Sequence, residues 1–118
     1  MSVRIERIDF KGWSSSYRMT NGEVELVVTG DIGPRVIRYD FVGGQNLFKE
    51  FASQIGKSGE PEWQSRGGHR LWVAPESPLI SPITYAPDNF PVDIKIKGDT
   101  IIATPLLQRE TGLQKQIA

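Results

Sequence analysis

Short alternations of apolar and polar residues run along this chain, each closed by a glycine or proline turn. No segment sustains the i, i+3, i+4, i+7 spacing of an amphipathic helix. The pattern predicts an all-β protein, a sandwich or a barrel, of which an antiparallel β-sandwich is the expected form. Its clearest element is a hairpin at Asn21-Gly22, a dipeptide that accepts the positive φ angles of a type I′ turn. A two-residue loop there sets Thr20 opposite Glu23, Met19 opposite Val24, Arg18 opposite Glu25 and Tyr17 opposite Leu26. Tyr17, Met19, Val24 and Leu26 then share an apolar face, and an Arg18–Glu25 ion pair occupies the other. A second hairpin runs from Val92 to Lys97, turns at Gly98-Asp99 and returns over Thr100 to Thr104. Pairing Lys97 with Thr100 gathers Ile94, Ile96, Ile101 and Ala103 on a buried face and leaves the lysines wet.

Between the hairpins, a strand from Arg35 to Phe41 places Ile37, Tyr39 and Phe41 on one side. Arg38 and Asp40 lie on the other, a solvated or cross-strand charged face, while Arg35, three positions from Arg38, falls on the face opposite to it. Residues 49–68 and 75–91 are polar and irregular, and Pro75, Pro78, Pro82, Pro87 and Pro91 exclude central strands from the second stretch. Near the C-terminus, Leu113, Lys115 and Ile117 alternate like the start of a further strand without a partner. The expectation is a single β domain over residues 1–118, completed by a second chain or by a further C-terminal region.

Composition narrows the function. The length suits one modest core, and 14 basic residues balance 14 acidic ones, scattered rather than clustered, which argues against nucleic acid and anionic membranes. There is no cysteine and one histidine, so thiolate chemistry is excluded and neither a metal site nor a cofactor is expected. The N-terminal residues lack the apolar run of a signal peptide, and no stretch approaches the ~18 apolar residues of a membrane span. A soluble, cytoplasmic protein is expected.

The densest chemistry lies in Gly67-Gly68-His69-Arg70-Leu71-Trp72-Val73-Ala74-Pro75-Glu76. His69 is the one side chain whose reference pKa, near ~6.5, allows proton transfer around neutrality. Arg70 offers a fork of donors, Trp72 a flat apolar face and Glu76 acceptors, which together suit a polar, ring-shaped ligand. Each has a structural alternative: His69 as a loop cap, Arg70 in an ion pair with Glu76 or Asp88, Trp72 in the core. Trp63, Tyr85 and Phe90, in the irregular stretches, either cover the sandwich or line a cleft. No serine sits in a nucleophile-elbow context.

Three stretches, Asp31-Ile32-Gly33-Pro34-Arg35-Val36-Ile37-Arg38-Tyr39, Gly43-Gly44-Gln45-Asn46-Leu47-Phe48 and the His69 segment, resemble the N-terminal portion of galactose-mutarotase-like proteins, the aldose 1-epimerase superfamily, and more closely its uncharacterised bacterial members. The resemblance runs through most of residues 17–117. It implies part of a large antiparallel supersandwich that binds a small-molecule carbohydrate in a cleft, in a fold more than twice this length. In the epimerases, a histidine protonates the ring oxygen while a glutamate from the C-terminal half acts as base at the anomeric hydroxyl. His69 matches as the catalytic acid, with Arg70, Trp72, Glu76 and Arg38 as candidate substrate-binding residues. The chain holds no second histidine and lacks the region that carries the base, so these residues alone are not expected to turn a sugar over. The alternative is a non-catalytic carbohydrate-recognition domain or a structural half-domain.

Overall fold

The computed structural model describes residues 2–61, 64–71, 90–107 and 114–118. Within them every regular element is a strand: β1 (Arg4–Phe10), β2 (Trp13–Thr20), β3 (Val24–Thr29), β4 (Arg35–Phe41), β5 (His69–Arg70), β6 (Asp93–Lys97) and β7 (Thr100–Thr104). The protein is all-β. β1 to β5 form one antiparallel sheet in chain order, and β6 and β7 form a separate two-stranded one.

Strand alternation sends the side chains of the large sheet to two faces with different covers. On one, Ile5, Tyr17, Met19, Leu26, Val28 and Val36 pack against Val92, Ile94, Ile101 and Ala103 of the β6–β7 hairpin. A backbone bond from Val92 N–H to the Gly30 carbonyl, 2.9 Å, ties that hairpin to the end of β3. On the other, Phe10, Trp13, Val27, Ile32 and Ile37 form a second core closed by Ile8 and by Ile55 from the loop after β4. Trp13 stacks on Phe10 with ring centroids 6.5 Å apart and donates Nε1–H to the Lys57 carbonyl, 3.0 Å, which locks that loop onto the sheet.

The β6–β7 hairpin has the expected register, Lys97 opposite Thr100 and Ile94 opposite Ala103. Its apolar face is buried at Ile101 and Ala103, half-buried at Ile94 and open at Ile96, which is 47% exposed. The β2–β3 hairpin departs from expectation by two residues: Thr20 pairs with Glu25 and Met19 with Leu26. Side chains lengthen this turn. Asn21 Oδ1 accepts from the N–H groups of Glu23 and Val24, both at 3.0 Å, Thr20 Oγ1 donates to the Val24 carbonyl at 2.7 Å, and only Gly22 has positive φ. An even shift preserves the faces, so Tyr17, Met19 and Leu26 still point to one core and the Arg18–Glu25 pair survives at 2.5 Å.

A bulge changes β4 more deeply. Val27 pairs with Arg38 while the next residue, Val28, pairs with Val36, so Ile37 is the extra residue. Ile37 therefore joins the Val27 core instead of following Tyr39 and Phe41, and Arg35 and Arg38 share a face after all. The charged face of β4 is cross-strand, with its carboxylates withdrawn from solvent and its arginines partly exposed. Asp40 is 3% exposed, and a ladder of alternating charge crosses four strands: Glu6–Arg18 at 3.0 Å, Arg18–Glu25 at 2.5 Å, Arg38–Glu25 at 3.5 Å and Arg38–Asp40 at 2.5 Å. Hydrogen bonds to Glu25 and then Glu6 raise the Arg18 pKa, and the bond to Asp40 raises that of Arg38, so both cations stay charged throughout the accessible range.

Beyond the short β5, a side chain completes the edge of β4. Asn46 Oδ1 accepts from Tyr39 N–H at 3.2 Å, Asn46 Nδ2 donates to the Ile37 carbonyl at 3.0 Å, and Leu47 N–H reaches the Tyr39 carbonyl at 3.0 Å. Asn46→Ala leaves two backbone groups of the strand without these partners. A loss of about 2 kcal/mol is expected, seen as a lower urea midpoint with an unchanged slope.

Asn46 Nδ2 also donates to Glu50 Oε2 at 3.2 Å, and Glu50 forms an ion pair with Lys11. The Lys11 hydrogen bond, followed by that from Asn46, holds the Glu50 carboxyl below the ordinary glutamate range. A carboxyl depressed in the folded state stabilises above its unfolded value and loses that contribution as pH falls through its folded one. Thermal melts of wild type and Glu50→Gln should thus differ near neutrality and converge below the usual carboxylate range; a difference independent of pH would contradict this.

The C-terminal segment has a partner. Ile117 and Ala103 exchange both backbone hydrogen bonds, at 2.8 and 3.0 Å, as an antiparallel bridge on the free side of β7. No helix among the described residues is long and apolar enough to cross a membrane.

Candidate functional site

β5 consists of His69 and Arg70 alone, and it pairs with the start of β4: Arg70 opposite Arg35 and His69 opposite Val36. Two glycines make this docking possible. Gly67 and Gly68 have φ of +75° and +76°, and a Cβ at either would overlap a backbone oxygen, that of Lys49 at position 67 and that of Val36 at position 68. Both the left-handed backbone and the close approach demand glycine.

Arg66 anchors the strand from the N-terminal side. It is buried, donates Nε–H to the Lys57 carbonyl at 3.0 Å and forms an ion pair with Glu60. Burial lowers its pKa from an ordinary arginine value. From the C-terminal side, the Lys115 ammonium donates to the Leu71 carbonyl at 3.0 Å.

Adjacent strand residues point to opposite faces, which separates His69 from Arg70. His69 lies in the row Arg7, Tyr17, Val28, Val36, on the face covered by the β6–β7 hairpin, and is itself exposed. Arg70 lies in the row Ile8, Ser16, Thr29, Arg35, on the face of the charge ladder, and is half-buried. A ligand touching both must therefore wrap the sheet edge that β5 forms. Arg38 shares the face of Arg70, with its guanidinium engaged by Asp40, by Glu25 and, at 3.1 Å, by the Gly44 carbonyl.

Trp72 and Glu76, with Trp63, Tyr85 and the alternative partner Asp88, lie outside the described residues. Phe90 is half exposed just before β6. Among the described residues no cluster of histidine and carboxylate side chains is arranged to hold a metal ion. Sequence reasoning passed over Arg35, which is 1% exposed and donates Nη1–H to the Gly67 carbonyl at 2.6 Å. Its signal was there, an arginine among apolar residues directly after Gly33-Pro34, but the bulge that turns it beneath β5 leaves no trace in the alternation.

No protein-family model, no curated protein and no solved structure matches the chain.

Proposed function

We propose that this protein binds a small-molecule carbohydrate at the β5 edge, with Arg70 donating to sugar hydroxyls from one face and His69 meeting the ring from the other. One observation carries the reading. The chain devotes two left-handed glycines, each pressed against a carbonyl, to a strand of only two residues, and those two carry the imidazole and the guanidinium. So exacting a fit holds the imidazole and the guanidinium at fixed places on a rigid scaffold, as a ligand-bearing loop requires.

The resemblance to the aldose 1-epimerase superfamily supplies the substrate class and the larger supersandwich. His69 is then the acid that protonates the ring oxygen, and a carboxylate base comes from a second chain or a further region that completes the fold. The apolar row left uncovered beside the β6–β7 hairpin, where Tyr39 is 43% and Phe41 74% exposed, supports an additional layer.

Titration with D-galactose and D-glucose, followed by amide and imidazole NMR, tests the proposal. The expected result is saturable movement of the His69 and Arg70 signals. Arg70→Ala should weaken binding about tenfold or more, the loss of a charge-assisted hydrogen bond worth about 1.5–3 kcal/mol. Unmoved spectra at high sugar concentration would refute carbohydrate binding.

A further inference from the structure

We infer that Arg35 is the positioning residue of the β5 site: its buried guanidinium sets the register of β5 on β4 and so determines the face to which His69 and Arg70 each point. The inference rests on the reading of β5 as the ligand site for its functional meaning, but not for its geometry. Two residues of strand offer too few ladder hydrogen bonds to fix a register by themselves, and a slip of one residue would exchange the faces of His69 and Arg70. Something outside the ladder must choose.

Arg35 supplies that choice twice. Its Nη1–H bond to the Gly67 carbonyl, 2.6 Å, grips the residue two before His69. Its stem packs against the neighbouring glycine, where a Cβ on Gly68 would stand 3.2 Å from Arg35 Cγ. Both contacts are made in the register that sets Arg70 across from Arg35 and His69 across from Val36.

Position 35 is 1% exposed, so the guanidinium acts from inside the fold, on the strand directly beside β5. A directional donor aimed at a carbonyl is what arginine contributes and an aliphatic side chain of similar volume does not.

The protein's single histidine makes the test direct, because its imidazole gives one signal. In wild type, a slowly exchanging Arg35 guanidinium proton with a nuclear Overhauser contact to the Gly67 and Gly68 α-protons is expected, together with a cross-strand contact between Val36 and His69. Their absence would overturn the inference without any variant. In Arg35→Met, the methyl dispersion of Val28, Ile101 and Ala103 should persist, while the Val36–His69 contact disappears and the His69 signal moves to that of a mobile histidine. Arg35→Lys, which retains a donor, should restore part of the contact. An Arg35→Met protein with the Val36–His69 contact intact would overturn the inference as well. Sugar affinity separates the two proposals. If wild type binds D-galactose or D-glucose, Arg35→Met should bind at least about tenfold more weakly. If wild type binds neither while Arg35→Met still displaces His69, the carbohydrate reading fails and the positioning role stands.

Discussion

Alanine at position 68 is expected to detach β5 while the rest of the sheet stays folded. Two penalties coincide there. A left-handed φ costs a residue with a Cβ about 1–2 kcal/mol, and the new methyl would overlap the Val36 carbonyl oxygen. Val36 is held in place, because it pairs with Val28 on β3 and packs against the β6–β7 hairpin. Relief must come from β5, which is held to the sheet by two residues. Local release of β5 therefore costs less than distortion of β4, and the combined penalty of about 3 kcal/mol or more falls on the segment around His69. Hydrogen exchange should show lost protection at His69 and Arg70 with protection retained across β2 and β3. Gly22→Ala is the control: φ there is +96° but nothing lies within 4 Å of the new Cβ, so only the conformational cost of about 1–2 kcal/mol is expected. Equal effects of the two substitutions would mean that backbone conformation, not the close approach, makes glycine necessary at 68.

The elements that could be read in advance were those in which turn chemistry and alternation act alone. Gly98-Asp99 closes a two-residue loop between strands of strict alternation, and the register of β6 on β7 follows. At Asn21-Gly22 the dipeptide signals a hairpin, but the loop length is decided by the Asn21 carboxamide and the Thr20 hydroxyl bonding to backbone, and these add two residues. The faces survive because two is even. At Ile37 the error is odd, and an odd error reverses faces: one bulged residue carries Ile37 from the predicted Tyr39 row into the opposite core and brings Arg35 to the side of Arg38.

Strands with little apolar content were harder to see. β1 reads as a charged segment, with Ile5 and Ile8 three apart and hence on opposite faces, because it is an edge strand exposed along much of its length. The first half of β2 is hidden by Ser14, Ser15 and Ser16, although Ser16 is fully buried with its hydroxyl on the Trp13 carbonyl at 2.8 Å. The same limit applies at the site. Gly-Gly followed by His-Arg marks the place, since glycine pairs and reactive side chains are local facts. That His69 and Arg70 face opposite ways, and that Arg35 lies beneath them, depends on pairing between residues more than 30 positions apart, which no local pattern encodes.

Trp13→Ala should be the most destabilising single substitution in the described core, by about 3–5 kcal/mol. The indole is 2% exposed, stacks on Phe10 and lies in the cluster with Val27, Ile32 and Ile37. It also joins the sheet to the loop that ends at β5, because Lys57 accepts from both Trp13 Nε1–H and Arg66 Nε–H, each at 3.0 Å. The void left by alanine cannot be filled by rearrangement of one side chain, and the loop loses its apolar anchor at the same time. A loss of this size is a large part of the roughly 5–15 kcal/mol that holds a domain folded. Trp13→Phe separates the two roles. It keeps most of the apolar volume while removing the donor and a small part of the packing, and the Lys57 carbonyl remains satisfied by Arg66, so a cost of about 1–2 kcal/mol is expected. Urea unfolding of both variants decides the matter. If phenylalanine costs nearly as much as alanine, the hydrogen bond to the loop, not the buried indole, governs this core, and the loop's attachment would then be the weakest link between the sheet and the His69 segment.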